Sequence, residues 1–111
     1  MLKRLFLGLA LIGVGLFSSA PAAQAQDRRV LLINDSSQTI EKFHASNVNR
    51  RGWEEDILGN RILRPGQRIR INLDDRSGQC MFDFLTVMAN GSKIEKRGVN
   101  VCRVETYRIT N

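Results

Sequence analysis

The sequence predicts an all-β domain: an antiparallel β-sandwich, Ig-like or small-barrel-like, with one short helical turn and one disulfide. Three observations lead there. Short runs of alternating apolar and polar residues recur with turn residues between them, the pattern of sandwiches and small barrels. No segment sustains the three-and-four spacing of a long amphipathic helix. Cys80 and Cys102 are the only two cysteines, and an even number in an exported chain reads as a bridge.

Export is itself a reading of the first 25 residues. Lys3 and Arg4 precede an apolar run from Leu5 to Phe17, and the stretch finishes on Ala23-Gln24-Ala25. A charged start, a short apolar core and a small-x-small ending make a secretory signal peptide. The run falls short of the roughly 20 apolar residues that a membrane-spanning helix needs. Cleavage is expected after Ala25, leaving one secreted β domain over 26–111 with no transmembrane segment. Gln26 is not a cysteine, so no lipid anchor is implied, and Lys3-Arg4 is not a twin-arginine pair. The expected compartment is the bacterial periplasm or the medium beyond it. Cleavage also removes two positive charges from a formal net charge of +6, leaving a domain that is basic but mixed in sign.

The elements follow in order. Residues 29–34 (RVLLIN) read as a strand, and Asn34-Asp35-Ser36-Ser37 as a turn, because short polar side chains bond back to the local backbone. Residues 39–45 alternate around Ile40 and Phe43, which suggests an opening hairpin. Residues 67–73 alternate most cleanly, with Ile69, Ile71 and Leu73 on one face and Arg68, Arg70 and Asn72 on the other; this is a strand with one wet face. Pro65-Gly66 before it fits a type II turn, and residues 74–78 form the next turn. Residues 79–89 place Cys80, Phe82, Phe84, Thr86 and Met88 on one face. Asn90-Gly91 signals a hairpin, with 93–97 as the polar return strand. Residues 101–110 close the domain, with Cys102, Val104 and Thr106 alternating against Arg103 and Glu105. A Cys80–Cys102 bridge would tie the long strand to the last one.

Residues 50–60 break the β pattern. Trp53 and Ile57 are four apart and would share one face of a single helical turn, which Gly59 could end in a left-handed conformation. Three readings stand. Trp53, Ile57 and Leu58 plug one end of the sandwich; or Trp53 is an exposed recognition residue, since aromatic anchors dominate binding patches; or Glu54, Glu55 and Asp56 join Asp74 and Asp75 around a Ca²⁺ ion, which takes six to eight oxygens from a converging set. No other cofactor is expected.

These residues also carry a resemblance. Asn34-Asp35-Ser36 ends an opening strand, Trp53-Glu54-Glu55-Asp56-Ile57-Leu58-Gly59 follows, and then come Leu63-Arg64-Pro65-Gly66, Cys80-Met81-Phe82-Asp83, Asn90-Gly91 and Val99-Asn100-Val101-Cys102. The chain resembles a group of small exported alphaproteobacterial proteins with a W-x-x-D-[IL]-L-G segment, a P-G turn and a C-x-[YF]-D strand. The resemblance covers nearly all of residues 26–111 and implies a turn, a plug and a disulfide, with no catalytic residue. Some sequences of this pattern carry an argininosuccinate lyase name. The residues here give it no support, because those lyases are large helical proteins with a Met-Pro-x-Lys loop that this chain lacks.

For function, the catalytic inventory is thin. His44 is the only histidine, and the serines at 36, 37, 46, 77 and 92 sit in turn-like contexts without an elbow motif, so no triad is legible. One His and two bridged cysteines leave too few ligands for a closed zinc site. A carboxylate pair of Glu55 and Asp83 is the nominal basis for a small hydrolase or lyase. The arginines carry the alternative. Arg68 and Arg70 share a wet face, with Arg64 and Arg61 just before. They form either a solvated face that resists aggregation or a patch for an acidic glycan, a lipid surface or an envelope protein. Nucleic acid is not expected, since single strands need stacking aromatics beside a basic groove. The expected function is therefore a binding or structural module of the cell envelope, with candidate binding residues Trp53, Arg64, Arg68 and Arg70.

Overall fold

Residues 27–111 are described by a computed structural model; the signal peptide expected over 1–25 lies outside the described residues. Six strands form in the described chain: β1 (Arg29–Asp35), β2 (Ile40–Asn47), β3 (Arg68–Asn72), β4 (Met81–Met88), β5 (Lys93–Asn100) and β6 (Thr106–Thr110). They make two three-stranded sheets, ordered β3-β1-β6 and β2-β4-β5. The fold is the expected all-β sandwich. Every pairing is antiparallel except β1–β6, which is parallel.

β1 and β2 do not form the expected hairpin, because they belong to different sheets. The reason lies in the turn residues themselves. Asn34 is fully buried at the end of β1; its amide donates to the carbonyls of Gln38 (2.7 Å) and Leu63 (2.8 Å), while its Oδ1 accepts from the Ser36 backbone and hydroxyl. These bonds make a corner that carries the chain across the sandwich rather than back along β1.

Two bulges set which side chains face inward. Ile40 and Phe43 are three apart and could not share a face of a regular strand. The register shifts between Ile40 and Lys42, and the extra residue brings both into the core. On β5 the register shifts opposite Phe82 and Phe84. Gly98 lies on that stretch at φ +68°, and Val99 beyond it is buried.

Aromatic rings from both sheets meet at the centre. Phe43 and Phe84 have centroids 5.1 Å apart, and Phe84 meets Tyr107 of the opposite sheet at 5.0 Å. Val30, Leu32, Ile71, Leu73, Phe82, Met88 and Ile109 pack around them. The last strand differs from expectation. Residues 101–103 turn, β6 begins at Thr106, and the inward side chains are Tyr107 and Ile109 while Thr106 is exposed. The turn shifts the alternation by one residue.

Cys80 and Cys102 are bonded, with Cα atoms 5.3 Å apart. The bridge spans the open end of the β4–β5 hairpin, just before β4 and just after β5, rather than tying the long strand to the last one. With a sequence separation of 22, the chain-entropy account gives it about 3 kcal/mol of stabilisation. Residues 57–60 make successive turns, Gly59 N–H to Asp56 and Arg61 N–H to Leu58, and no helix forms there.

Candidate functional site

The arginine candidates gather on the outer face of the β3-β1-β6 sheet. Strand alternation sends Ile69 and Ile71 of β3 inward and Arg68 and Arg70 outward. The register sets Ile33 of β1 between Arg68 of β3 and Arg108 of β6, and Leu31 between Arg70 and Thr106. Arg29 shares this face by its parity with Leu31. Ile33 is only 2% exposed although it points away from the core; flanking arginine stems cover apolar surface in this way. Four arginines thus stand on one sheet face. Two are neutralised: Arg29 by Asp27 at 3.0 Å and Arg108 by Asp35. Arg68 and Arg70 are exposed and make no ion pair among the described residues. A cleft of about 260 Å³ opens beside them, lined by Arg29, Arg70 and Arg103 together with Asp27 and Glu105.

Arg64 belongs to the approach to this face. Its carbonyl accepts from Gln67 N–H (3.0 Å) across the Pro65-Gly66 turn, with Gly66 at φ +87°. Its side chain is exposed. Arg29 and Arg108 were not legible as members of the face. The signal for Arg108 was the alternation of 106–110, hidden by the shift at the preceding turn.

Trp53 lies elsewhere. It is half-buried, outside the core cluster, with the Arg97 guanidinium 5.1 Å from its ring centre. Trp53 shares a small cleft with Ser46, Arg50, Asp83 and Arg97. Ser46 and Asp83 are cross-strand partners on β2 and β4, and they point away from the inward Ala45, Phe82 and Phe84. Trp53 is therefore on the outer side of the β2-β4-β5 sheet, opposite the arginine face. Of the three residues read as a plug, Leu58 is buried and Ile57 packs against the core, but Trp53 does not fill the end of the sandwich.

The segment around Trp53 seals the free edge of β2. Glu54 N–H donates to the Ser46 hydroxyl (2.8 Å), and the Glu54 carbonyl accepts from His44 Nδ1 (2.6 Å); a carbonyl partner requires that nitrogen to carry the proton. Asp56 Oδ1 accepts from Phe43 N–H (2.8 Å) and Leu58 N–H (3.0 Å). Ile57 N–H donates to the Phe43 carbonyl, and Ile40 and Leu63 exchange both backbone bonds. His44 and Ser46 thus hold backbone in place.

The acidic loops do meet. Glu54, Glu55, Asp74 and Asp75 line one cleft of about 160 Å³ at the end of the sandwich, floored by Ala45, Leu73 and Phe82. Glu54, Asp74 and Asp75 are nevertheless committed to separate partners, as is the adjacent Asp56. Glu54 pairs with Arg50 (3.0 Å), Asp74 accepts from Arg76 N–H, Asp56 caps the backbone, and Asp75 accepts from Asn47 (2.8 Å) and Ser77. Partial burial raises the Asp75 carboxyl, but the bonds from Ser77 and Asn47 outweigh it and hold it below its ordinary value. Among the described residues no three His, Cys, Asp or Glu side chains converge as a metal site.

The nominal carboxylate pair is not assembled. Glu55 lines the end cleft, whereas Asp83 lines the Trp53 cleft on the sheet's outer side. Asp83 spends its oxygens on the β5 bulge, accepting from Gly98 N–H (2.9 Å) and from Arg97 (3.1 Å). No helix among the described residues is long and apolar enough to cross a membrane. No protein-family model, curated protein or solved structure matches this chain.

Proposed function

We propose that this protein is a non-enzymatic binding module of the bacterial cell envelope, exported by its signal peptide, that docks an anionic partner through the outer face of the β3-β1-β6 sheet. One observation carries the reading. Arg68 and Arg70 stand side by side on the edge strand β3, exposed and without an ion pair among the described residues, on the same sheet face as two arginines that are already neutralised. Asp27, already bonded to Arg29, acts on Arg70 only at longer range, and like charges held together without a directly paired carboxylate create a potential that recruits a partner of opposite sign. The disulfide supports export to an oxidising compartment. The Trp53 patch takes no part, because Arg97 is paired with both Asp83 and Glu95 there and leaves no uncompensated positive charge.

The test is retention on immobilised dextran sulfate as NaCl is raised. Wild-type protein is expected to elute late and salt-dependently, and the Arg68→Ala/Arg70→Ala variant early, with unchanged circular dichroism. Equal elution of the two proteins would refute the proposal.

A further inference from the structure

We propose that the open edge of β3 is a strand-addition site that takes an extended segment of a partner protein in which acidic and apolar residues alternate. This rests on the reading that the arginine face docks an anionic partner, and it names the partner's chemistry.

The phase of the β1–β3 ladder carries the argument. Asn34 N–H donates to the Gln67 carbonyl at one end, and Leu73 N–H donates to the Arg28 carbonyl at the other. In an antiparallel pair, hydrogen-bonded and non-bonded positions alternate. Residues 67, 69, 71 and 73 therefore bond to β1, and the N–H and C=O groups of Arg68, Arg70 and Asn72 point to the open edge. Nothing among the described residues occupies them. The arginine side chains and these edge groups thus belong to the same residues.

The ground beside the edge fits an extended chain. A groove of about 420 Å³ opens beside its first residues, lined by Leu58, Ile62, Leu63 and Ile69, with Arg61 and Arg68 at its rim. Ile62 is 42% exposed. A strand laid on β3 presents alternate side chains to its two sides. One set would meet Arg68 and Arg70 on the outer face; the other would lie over the apolar groove. Strand addition draws affinity from main-chain bonds and specificity from alternate side chains, and here those side chains are acidic and apolar.

The other edges are spent or guarded. β2 is sealed by Asp56, Ile57 and Leu63. β5 bears a bulge and charges of both signs at Lys93, Glu95, Lys96 and Arg97. On β6 the one arginine of the outer face, Arg108, is tied to Asp35, so that edge lacks the unpaired charge that β3 offers an acidic strand. A second copy is a poor occupant of the β3 edge, because pairing β3 with β3 would set arginines against arginines, and like charges directly opposite are destabilising. The same repulsion that prevents self-association selects an acidic strand.

The probe is a short fluorescent peptide of alternating Glu and Val, followed by anisotropy. Two versions are N-methylated, one at every Glu and one at every Val. In an added strand only one alternate set of nitrogens faces β3, and in the antiparallel orientation it is the Glu set. The parent peptide is expected to bind, one methylated version to bind as the parent does, and the other to bind at least about tenfold more weakly, as loss of two or more hydrogen bonds implies. Equal binding by both methylated peptides would overturn the strand-addition site while leaving the anionic reading intact. Retention on dextran sulfate without binding of the parent peptide would do the same. Unweakened binding of the parent to the folded Arg68→Ala/Arg70→Ala variant would overturn both. A peptide-independent dimer held by the β3 edge would also overturn the inference.

Discussion

The two outer faces of the sandwich are built from similar strands and left in opposite conditions. On the β2-β4-β5 side, residues 53–58 lie along the free edge of β2 and satisfy both outward backbone groups of Phe43, as Leu63 does those of Ile40. Trp53 rests beneath Arg97, and Asp83 satisfies both Arg97 and the bulge at Gly98. On the β3-β1-β6 side, two arginines lack an ion pair among the described residues and β3 keeps its outward donors and acceptors. A chain this small buries only about two-thirds of its unfolded surface, so each segment spent on covering an edge is a notable fraction of the fold. One side was covered by the chain itself and the other left available, and it is on the available side that the proposed docking rests.

That contrast can be broken most severely at the ring cluster joining the sheets. Phe84→Ala removes the ring that touches both Phe43 and Tyr107 and is expected to cost about 3–5 kcal/mol. The urea midpoint measures it, and a loss below about 1 kcal/mol, the scale of a single net hydrogen bond, would show that the two sheets are held together elsewhere. Next in size is the bridge. The Cys80→Ser/Cys102→Ser variant is expected to lose about 3 kcal/mol, read from the same midpoint; an unchanged midpoint would mean that the β4–β5 hairpin needs no staple.

Unsealing one edge sharpens the comparison. Asp56→Ala leaves the N–H groups of Phe43 and Leu58 without their acceptor, at about 1–3 kcal/mol. It should also raise concentration-dependent aggregation, because an uncovered edge invites pairing. Asp56→Asn keeps an acceptor oxygen and is expected to recover most of the loss; failure to recover would assign the effect to charge. The smallest effect concerns Tyr107, the only tyrosine. Burial raises its phenol above the ordinary value, and the neighbouring Thr86 hydroxyl only partly opposes this. The neutral phenol is thus the form the fold favours. Its contribution is fully present below the unfolded value of about 10 and is lost as pH rises through the higher folded value. Ultraviolet absorbance of the phenolate is expected to titrate above pH 10, the free-phenol value, in folded protein and near it in urea. Equal midpoints would place the ring outside the core.

What the sequence made legible was local. The alternation of 67–73 and 79–89, the Pro65-Gly66 turn, the Asn34 corner chemistry and the cysteine pair all depend on neighbours in the chain, and they stand in the structure. The misreadings came from bulges and from long-range pairing. Ile40 and Phe43 are the buried anchors expected of 39–45, but a bulge rather than plain alternation turns both inward. The turn at 101–103 shifts the alternation by one residue and hid both Tyr107 and Arg108. The arginine face was half-visible for the same reason. Arg68 and Arg70 declare themselves on one strand, whereas Arg29 and Arg108 join them only through the register of β1 with β3 and β6. Of the three readings of Trp53, the plug rested on its four-residue spacing from Ile57; no helical turn forms over 53–56, so that spacing does not bring the two side chains onto one face.

The parallel pairing of β1 with β6 has a kinetic consequence. The β4–β5 hairpin joins residues close in sequence and can form early, whereas Leu31 finds Thr106 only after nearly the whole described chain has been gathered. Pairings of such high contact order close slowly, since the entropy of a large loop must be met before any contact rewards it. The β3-β1-β6 sheet is therefore the last part of the molecule to be completed. Its row of arginines, drawn from three strands far apart in the chain, comes into existence as a surface only at that step, so a partner that recognises the row recognises the finished domain and passes over its folding intermediates.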